Sequence, residues 1–187
     1  PLPAEEVPLA GAAGRILAQD ILAAHDQPPF AVSAMDGYAL HAADATPGTR
    51  LRLIGTAAAG SRFPGPVAPG EAVRILTGAP VPDGADFVLI QEDATREGDS
   101  VTVARAPGPG TSIRPAGGDF HRGDRIPAPR RLTAADIALA AAMNAGRVSV
   151  TRRPAVALVP TGDELVYPGE TPGPDQIVSS NGHGLKA

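Results

Sequence analysis

The sequence predicts an α+β fold, and three observations carry that prediction. Short apolar segments punctuated by Gly and Pro fill residues 38–128, a well-capped helical pattern spans 132–146, and a continuous apolar run, PAVALV, occupies 154–159. Short strands at such spacing suggest a small barrel or sandwich. An apolar run of that length suits a buried parallel strand.

The elements follow in order. Leu9, Ala12, Ala13, Ile16 and Leu17 recur at helical spacing, which predicts a short helix to about Gly14 and an extended segment over 15–24. Pro28-Pro29 ends that segment, because a residue before proline is pushed toward extended geometry. Strands are expected at 38–42, 51–56, 72–76, 86–91, 100–104 and, more weakly, 111–114. They are separated by turns such as Pro47-Gly48, Pro69-Gly70 and Gly98-Asp99. Thr133 is placed as an N-cap with Asp136 three residues on, a capping-box variant, and Leu132 and Ile137 as a hydrophobic staple. The Ala-rich helix runs to Asn144 with Gly146 as its stop, and 147–151 reads as a strand. After 154–159 come a Pro/Gly loop and the helix caps Ser179-Ser180-Asn181, so 154–187 reads as the first piece of an α/β domain.

Composition narrows the function classes. With 187 residues there is room for one large domain or two small ones, and with 3% aromatics the cores must be built from Ala, Val, Ile and Leu. The 22 Gly and 21 Pro show no repeat, which fits a turn-rich globular chain. Net charge is −4 without a basic block, so neither nucleic acid nor an anionic membrane is an expected partner. No apolar run approaches the roughly 20 residues of a membrane span, and no signal-peptide pattern opens the sequence. The chain has no cysteine, hence no disulfides or thiol chemistry, and a cytoplasmic location is expected.

Four segments could carry chemistry. The first is PPFAVSAMDGYA at 28–39, where Ser33 and Asp36 sit beside Phe30 and Tyr38. Asp36-Gly37 is a turn signal, but a carboxylate beside a hydroxyl could also coordinate a divalent cation or position water. The second, Thr77-Gly78-Ala79-Pro80, follows an expected strand; a hydroxyl and a glycine amide there suit an oxyanion, while a plain surface turn is the alternative. Arg74 lies close in sequence, but strand alternation does not settle its side, and Asp86 flanks the next strand. The third is Gly117-Gly118-Asp119, crowded by Arg114, His121 and Arg122; it is a polar turn or a site. His121 has no second ligand at zinc spacing. The fourth is Thr161-Gly162-Asp163-Glu164, at the end of the expected buried strand, where open α/β sheets bind ligands.

Together and in this order, GRILAQDI, PPFAVSAMDGYAL, RILTGAPVPDGADFVLIQE, RPAGGDFHRGD, RPAVALVPTGDELVYPG and QIVSSN resemble the MoeA, or molybdopterin molybdenumtransferase, family, which includes the MoeA-like half of gephyrin and Cnx. The matching segments span residues 14–181. The departures are Ala31-Val32 where the family usually has Asp-Asn, Gly118 where it has Glu, and Pro160 where it commonly has Ser or Thr.

The resemblance implies an elongated homodimer. Its α/β stalk corresponds to 1–37 and 129–153, an inserted irregular β domain to 38–128, and the truncated start of a doubly wound, molybdopterin-binding α/β domain to 154–187. The implied reaction inserts molybdenum from molybdate into adenylylated molybdopterin and releases AMP, with Mg2+ as divalent cation, in a cleft between subunits. By motif, Asp36, Thr77, Asp119 and Glu164 are the implied catalytic residues. Ser33, Gly78, Asp86, Thr161, Gly162 and Asp163 are implied in substrate or cofactor binding, with Asp36 and Asp119 as metal candidates. The adenylyltransferase of the same pathway is a possible partner. As the N-terminal half of such an enzyme, the chain alone is expected to be inactive. The rival expectation is a non-enzymatic dimeric scaffold of the same fold.

Overall fold

The computed structural model describes residues 2–187 and divides into two compact units. One runs Glu5–Val150; the other combines the N-terminal residues with Thr151–Ala187. In chain order the strands are β1 (Ala4–Pro8), β2 (Ile16–Leu17), β3 (Ile21–Leu22), β4 (Val32–Ser33), β5 (Gly37–Leu40), β6 (Arg50–Ala57), β7 (Glu71–Ile75) and β8 (Phe87–Ile90). They continue with β9 (Ala94–Glu97), β10 (Ser100–Val103), β11 (Ile113–Arg114), β12 (Arg125–Ile126), β13 (Arg130–Arg131), β14 (Arg147–Thr151), β15 (Leu165–Val166) and β16 (Ile177–Val178). The helices are α1 (Ala134–Ala142) and α2 (Asn181–Lys186). Among the described residues no helix is long and apolar enough to cross a membrane.

The centre of the larger unit is an open six-stranded sheet in the order β8-β5-β7-β6-β10-β9. All its pairings are antiparallel except β6–β7, which is parallel. Alternation along β5 and β8 sends Tyr38, Leu40, Phe87 and Leu89 to one core and Ala39 and Val88 to another. Because apolar residues cover both faces, β5 is buried throughout and reads as a continuous apolar run. The register shifts between Leu53 and Gly55. A Cβ at Gly55 would lie 2.5 Å from the Phe63 ring, so glycine at this irregularity lets the aromatic ring lie against the backbone.

The chain on either side of this sheet forms further strands around a core of their own. The chain leaves at Gln27 and returns at Phe120, where the Gln27 N–H donates to Phe120 O at 2.9 Å. Beyond that point β3 pairs with β12, and β1, β14, β2 and β13 form a four-stranded sheet. Leu17, Ile21, Ile126, Leu132, Val148 and Val150 pack there with Ala140 and Met143.

Helix α1 is capped as its sequence prescribes. The Asp136 N–H donates to Thr133 Oγ1, and Asp136 Oδ2 accepts the Thr133 N–H (2.8 Å) and hydroxyl (2.7 Å). Leu132 is buried with Ile137 packed against the same core. The C-terminal stop differs from the expectation. Asn144, at φ 67, is the left-handed residue; the Ala145 N–H reaches Ala140 O and the Asn144 N–H reaches Ala141 O. Asparagine supplies the positive φ two residues ahead of Gly146, and the helix ends at Ala142.

Other expectations are corrected. The predicted helix near residues 8–14 is only a 3₁₀ turn, Leu9–Gly11. Helix nucleation fixes several residues for a single hydrogen bond, and with Gly11 and Gly14 in this run that cost is not recovered. The 154–159 run is not a buried strand: Val156 and Val159 are 75% and 77% exposed. A parallel strand needs a neighbour for its amides and carbonyls. In this unit the described strands are β15 and β16, which pair in parallel with each other, Leu165 opposite Ile177. Ser180 occupies the N-cap of α2 without a side-chain hydrogen bond, and Asn181 is already helical. Strand β9, absent from the expectation, pairs with β10 across the Gly98-Asp99 turn.

Thr133→Ala is expected to cost about 1 kcal/mol, seen as a lower urea midpoint at unchanged slope. Asn144→Val should cost about 1–2 kcal/mol by forcing a β-branched residue into the left-handed region, whereas Asn144→Gly should leave the midpoint nearly in place.

Candidate functional site

Strand β5 begins at a corner where three distant segments meet. Asp36 stands immediately before it, and its Oδ1 accepts both the hydroxyl and the main-chain N–H of Thr77, each at 2.7 Å. These bonds hold the Asp36 carboxyl below its usual range, the Thr77 hydroxyl first and its amide second, with the nearby Arg74 charge adding to the effect against partial desolvation. Oδ2 accepts no hydrogen bond from the described residues. The Asp36 carbonyl accepts the Gln91 N–H at 3.1 Å. Gly37 is pressed against the neighbouring strand: a Cβ there would lie 2.1 Å from Leu89 O.

The loop ahead of Asp36 is sewn to the turn that follows β7. Ser33 donates its N–H to Ala79 O (3.0 Å) and accepts the Gly78 N–H (2.9 Å), while Ala31 O accepts the Val81 N–H (3.0 Å). The Ser33 side chain is 1% exposed, and its hydroxyl donates to Met35 O at 2.5 Å. Val32 is buried too. The Ala31-Val32 pair thus serves as backing for the loop, with a main-chain acceptor and an apolar side chain.

The third segment closes on the other side. Strand β11 pairs with β4, Ile113 opposite Ser33 and Arg114 opposite Val32. The Asp119 N–H donates to Gln27 O (2.8 Å) and the Gly117 N–H to Pro28 O (2.9 Å). Arg114 Nη2 holds Asp119 Oδ1 at 2.6 Å, both side chains about half exposed. Asp36, Thr77, Gly78 and Asp119 therefore share one scaffold, residues 27–38, although 83 positions separate the two acids in sequence. An apolar cleft of about 300 Å³ opens beside Met35, between Ile90 and the Pro107–Gly110 turn, with Asp93 and Ser112 as polar neighbours.

Other residues singled out in the sequence lie elsewhere. Asp86 is at the far end of the β5–β8 pair, where its Oδ1 caps the Ala42 N–H at 2.6 Å. Thr161, Gly162, Asp163 and Glu164 belong to the other compact unit and are exposed. There the Glu164 carbonyl accepts the Ile177 N–H at 2.8 Å, and its carboxylate folds back over Gly162.

Arg74 and Gln91 join the corner in a way the sequence left open. Arg74 faces Tyr38 across the β5–β7 pair, its guanidinium carbon 5.1 Å from the ring centroid. The register Tyr38 opposite Arg74 is the signal that would have found it, and it depends on a pairing that no local pattern specifies.

No group of three or more acidic or histidine side chains among the described residues is arranged to hold a metal. Magnesium is commonly held by one or two carboxylates together with substrate phosphates. Asp36 Oδ2 is an open hard-oxygen donor of that kind. Chemically, the corner offers an ionised carboxylate with one free oxygen, a hydroxyl, and an exposed glycine turn.

The family model for the MoeA N-terminal region (domain I and II) matches residues 1–144. The molybdopterin molybdenumtransferase of Nostoc sp. is 39% identical over 98% of this chain and 43% of its own length. That of Haemophilus influenzae is 36% identical over 97% of this chain and 45% of its own. A crystal structure of the molybdopterin biosynthesis moeA protein from Pyrococcus horikoshii OT3 superposes with a TM-score of 0.85 at 35% identity, covering 98% of this chain and 51% of that one. The chain spans less than half the length of these curated relatives. With a family model over three quarters of its residues and one fold shared along nearly all of it, the chain belongs to the MoeA family, in that family's N-terminal region.

Proposed function

We propose that this chain acts in molybdenum cofactor biosynthesis, forming one wall of the site where molybdenum from molybdate enters adenylylated molybdopterin and AMP is released. The observation that carries this reading is the Asp36–Thr77 pair, in which one carboxylate oxygen is fixed twice and the other is open. The names of the relatives support the reaction class.

In this reading Asp36, kept ionised by Thr77, presents Oδ2 to a water or an oxygen of the substrate. Thr77 and Gly78 form the exposed turn that bounds the substrate site, their donors held by Asp36 Oδ1 and Ser33 O. Asp119, fixed by Arg114, supplies a second carboxylate on the same scaffold. Magnesium held by Asp36 and Asp119 would neutralise charge on the substrate phosphate. Thr161, Gly162, Asp163 and Glu164 contribute the opposing wall, on a homodimer in which it comes from the partner subunit. The stalk at 1–37 and 129–153 carries the dimer contact, 38–128 forms the β domain, and 154–187 begins the molybdopterin-binding domain. The enzyme works in the cytoplasm.

In the full-length protein, Asp36→Asn and Glu164→Gln should each lower AMP release by about 10²-fold or more while leaving the fold intact. Wild-type release in both variants would overturn the assignment.

A carboxyl with a depressed folded pKa contributes stability that is present above its unfolded pKa and is lost as pH falls through the folded value. Thr77→Val should therefore raise the Asp36 midpoint toward the ordinary carboxylate range and remove that part of the acid sensitivity. Carboxyl NMR titration of Asp36 checks the shift; an unchanged midpoint would show that the Thr77 hydroxyl is not its cause.

A further inference from the structure

The two peptides that follow Asp36 are gripped by Arg74 and Gln91, whose side chains are linked to each other. Arg74 Nη1 donates to Gly37 O at 3.1 Å, and its Nη2 donates to Gln91 Oε1 at 2.7 Å. Gln91 in turn donates its main-chain N–H to Asp36 O at 3.1 Å. Two consecutive carbonyls are thus held from β7 on one side and from the end of β8 on the other. The Arg74 guanidinium carbon stands over the Tyr38 ring, 5.1 Å from its centroid. The same β7 segment runs on into Thr77, which holds the Asp36 side chain.

We infer that Arg74, with Gln91, is a positioning pair for Asp36. Gln91 holds the 36–37 peptide through its main-chain N–H and Arg74 holds the 37–38 peptide through its side chain, and together they set the direction in which Asp36 Oδ2 faces the substrate. This inference rests on the function proposed above, in which Asp36 meets the reacting groups. Arginine is needed because its planar fork serves two acceptors at once while its face lies on a ring; a lysine ammonium keeps the charge without that geometry. Gln91 is suited to its place because it accepts from Arg74 through its side chain and donates to Asp36 through its backbone. The pair acts through Asp36 and is not itself required to touch substrate.

The test uses Arg74→Lys, Arg74→Gln and Gln91→Leu in the full-length protein, with kcat and KM for AMP release measured separately. NMR of the Thr77 amide, whose proton is bonded to the Asp36 carboxylate, reports the geometry directly. Both Arg74 variants should lose kcat by about 10- to 100-fold with KM nearly unchanged, and the Thr77 amide resonance should move. Gln91→Leu should act in the same direction with a smaller effect. Rescue of wild-type kcat by Arg74→Lys would overturn the inference, because charge alone would then suffice. So would a wild-type kcat and an unmoved Thr77 resonance in Arg74→Gln. Should the Arg74 variants fail to fold, a wild-type kcat in Gln91→Leu overturns it equally. Asp36→Asn separates the two levels: if it loses activity while Arg74→Gln keeps it, only the positioning role falls, and if Asp36→Asn itself keeps activity, the functional reading falls with it.

Discussion

The corner around Asp36 depends on the absence of a side chain at Gly37. Strand β5 lies between β7 and β8, and at Gly37 it approaches β8 so closely that a Cβ would sit 2.1 Å from Leu89 O. Any larger residue must push β5 away from β8. That displacement would pull Asp36 O from the Gln91 N–H and Gly37 O from Arg74 together, because these acceptors belong to adjacent peptides. The register that sets Tyr38 opposite both Arg74 and Leu89 would be lost with them. A single small residue thus joins sheet packing to the presentation of a carboxylate.

The sheet explains why motifs so far apart in sequence meet. Strands β6 and β7 run parallel, so the turns after both emerge at the end of the sheet where β5 begins. The turn after β7 brings Thr77 to Asp36, and the loop ahead of Asp36 pairs with β11. Exposed turns with Gly and Pro are tolerated there because the backbone beneath them is bonded on both sides: Ser33 alone exchanges two main-chain hydrogen bonds with the 78–79 peptides. The precision of the site therefore comes from ladders and cross-loop bonds.

Much of this was legible in the sequence where local rules decide. Thr133 and Asp136 form the capping box that their spacing announces, and the strands near 72–76 and 100–104 fall within a residue or so of their patterns. Several misses share a cause, a deciding partner that is remote in sequence. PAVALV carries the composition of a buried strand, but burial requires a neighbour, and the described strands of its unit are two short ones paired with each other. Leu9–Gly11 has helical spacing without the length to nucleate. Arg74 could not be given a side from alternation, since a half-charged, half-aromatic pair on a sheet buried on both faces has no apolar stripe to align it. The chemical segments were visible as residue types, but their convergence on residues 27–38 is a property of the pairing.

Two aspartates in this chain make the same bond, and the difference between them separates a structural carboxylate from one free to do chemistry. Asp136 takes the N–H and hydroxyl of Thr133 on one oxygen, as Asp36 takes those of Thr77. In both cases the threonine depresses the carboxyl pKa. At Asp136 the second oxygen also has a protein partner, Arg130 at 3.1 Å, so both oxygens help hold α1 to its sheet. Asp20 likewise has a protein partner on each oxygen, the Ala128 N–H on one and Arg125 on the other. At Asp36 the nearest cation, Arg74, is turned instead to the Gly37 carbonyl and Gln91. The charge that would satisfy Oδ2 is spent on the backbone behind it, so the carboxylate is held in place while one oxygen stays available to a ligand. That division of labour, more than the presence of an acid in a turn, favours a working site at this corner over a solvated loop.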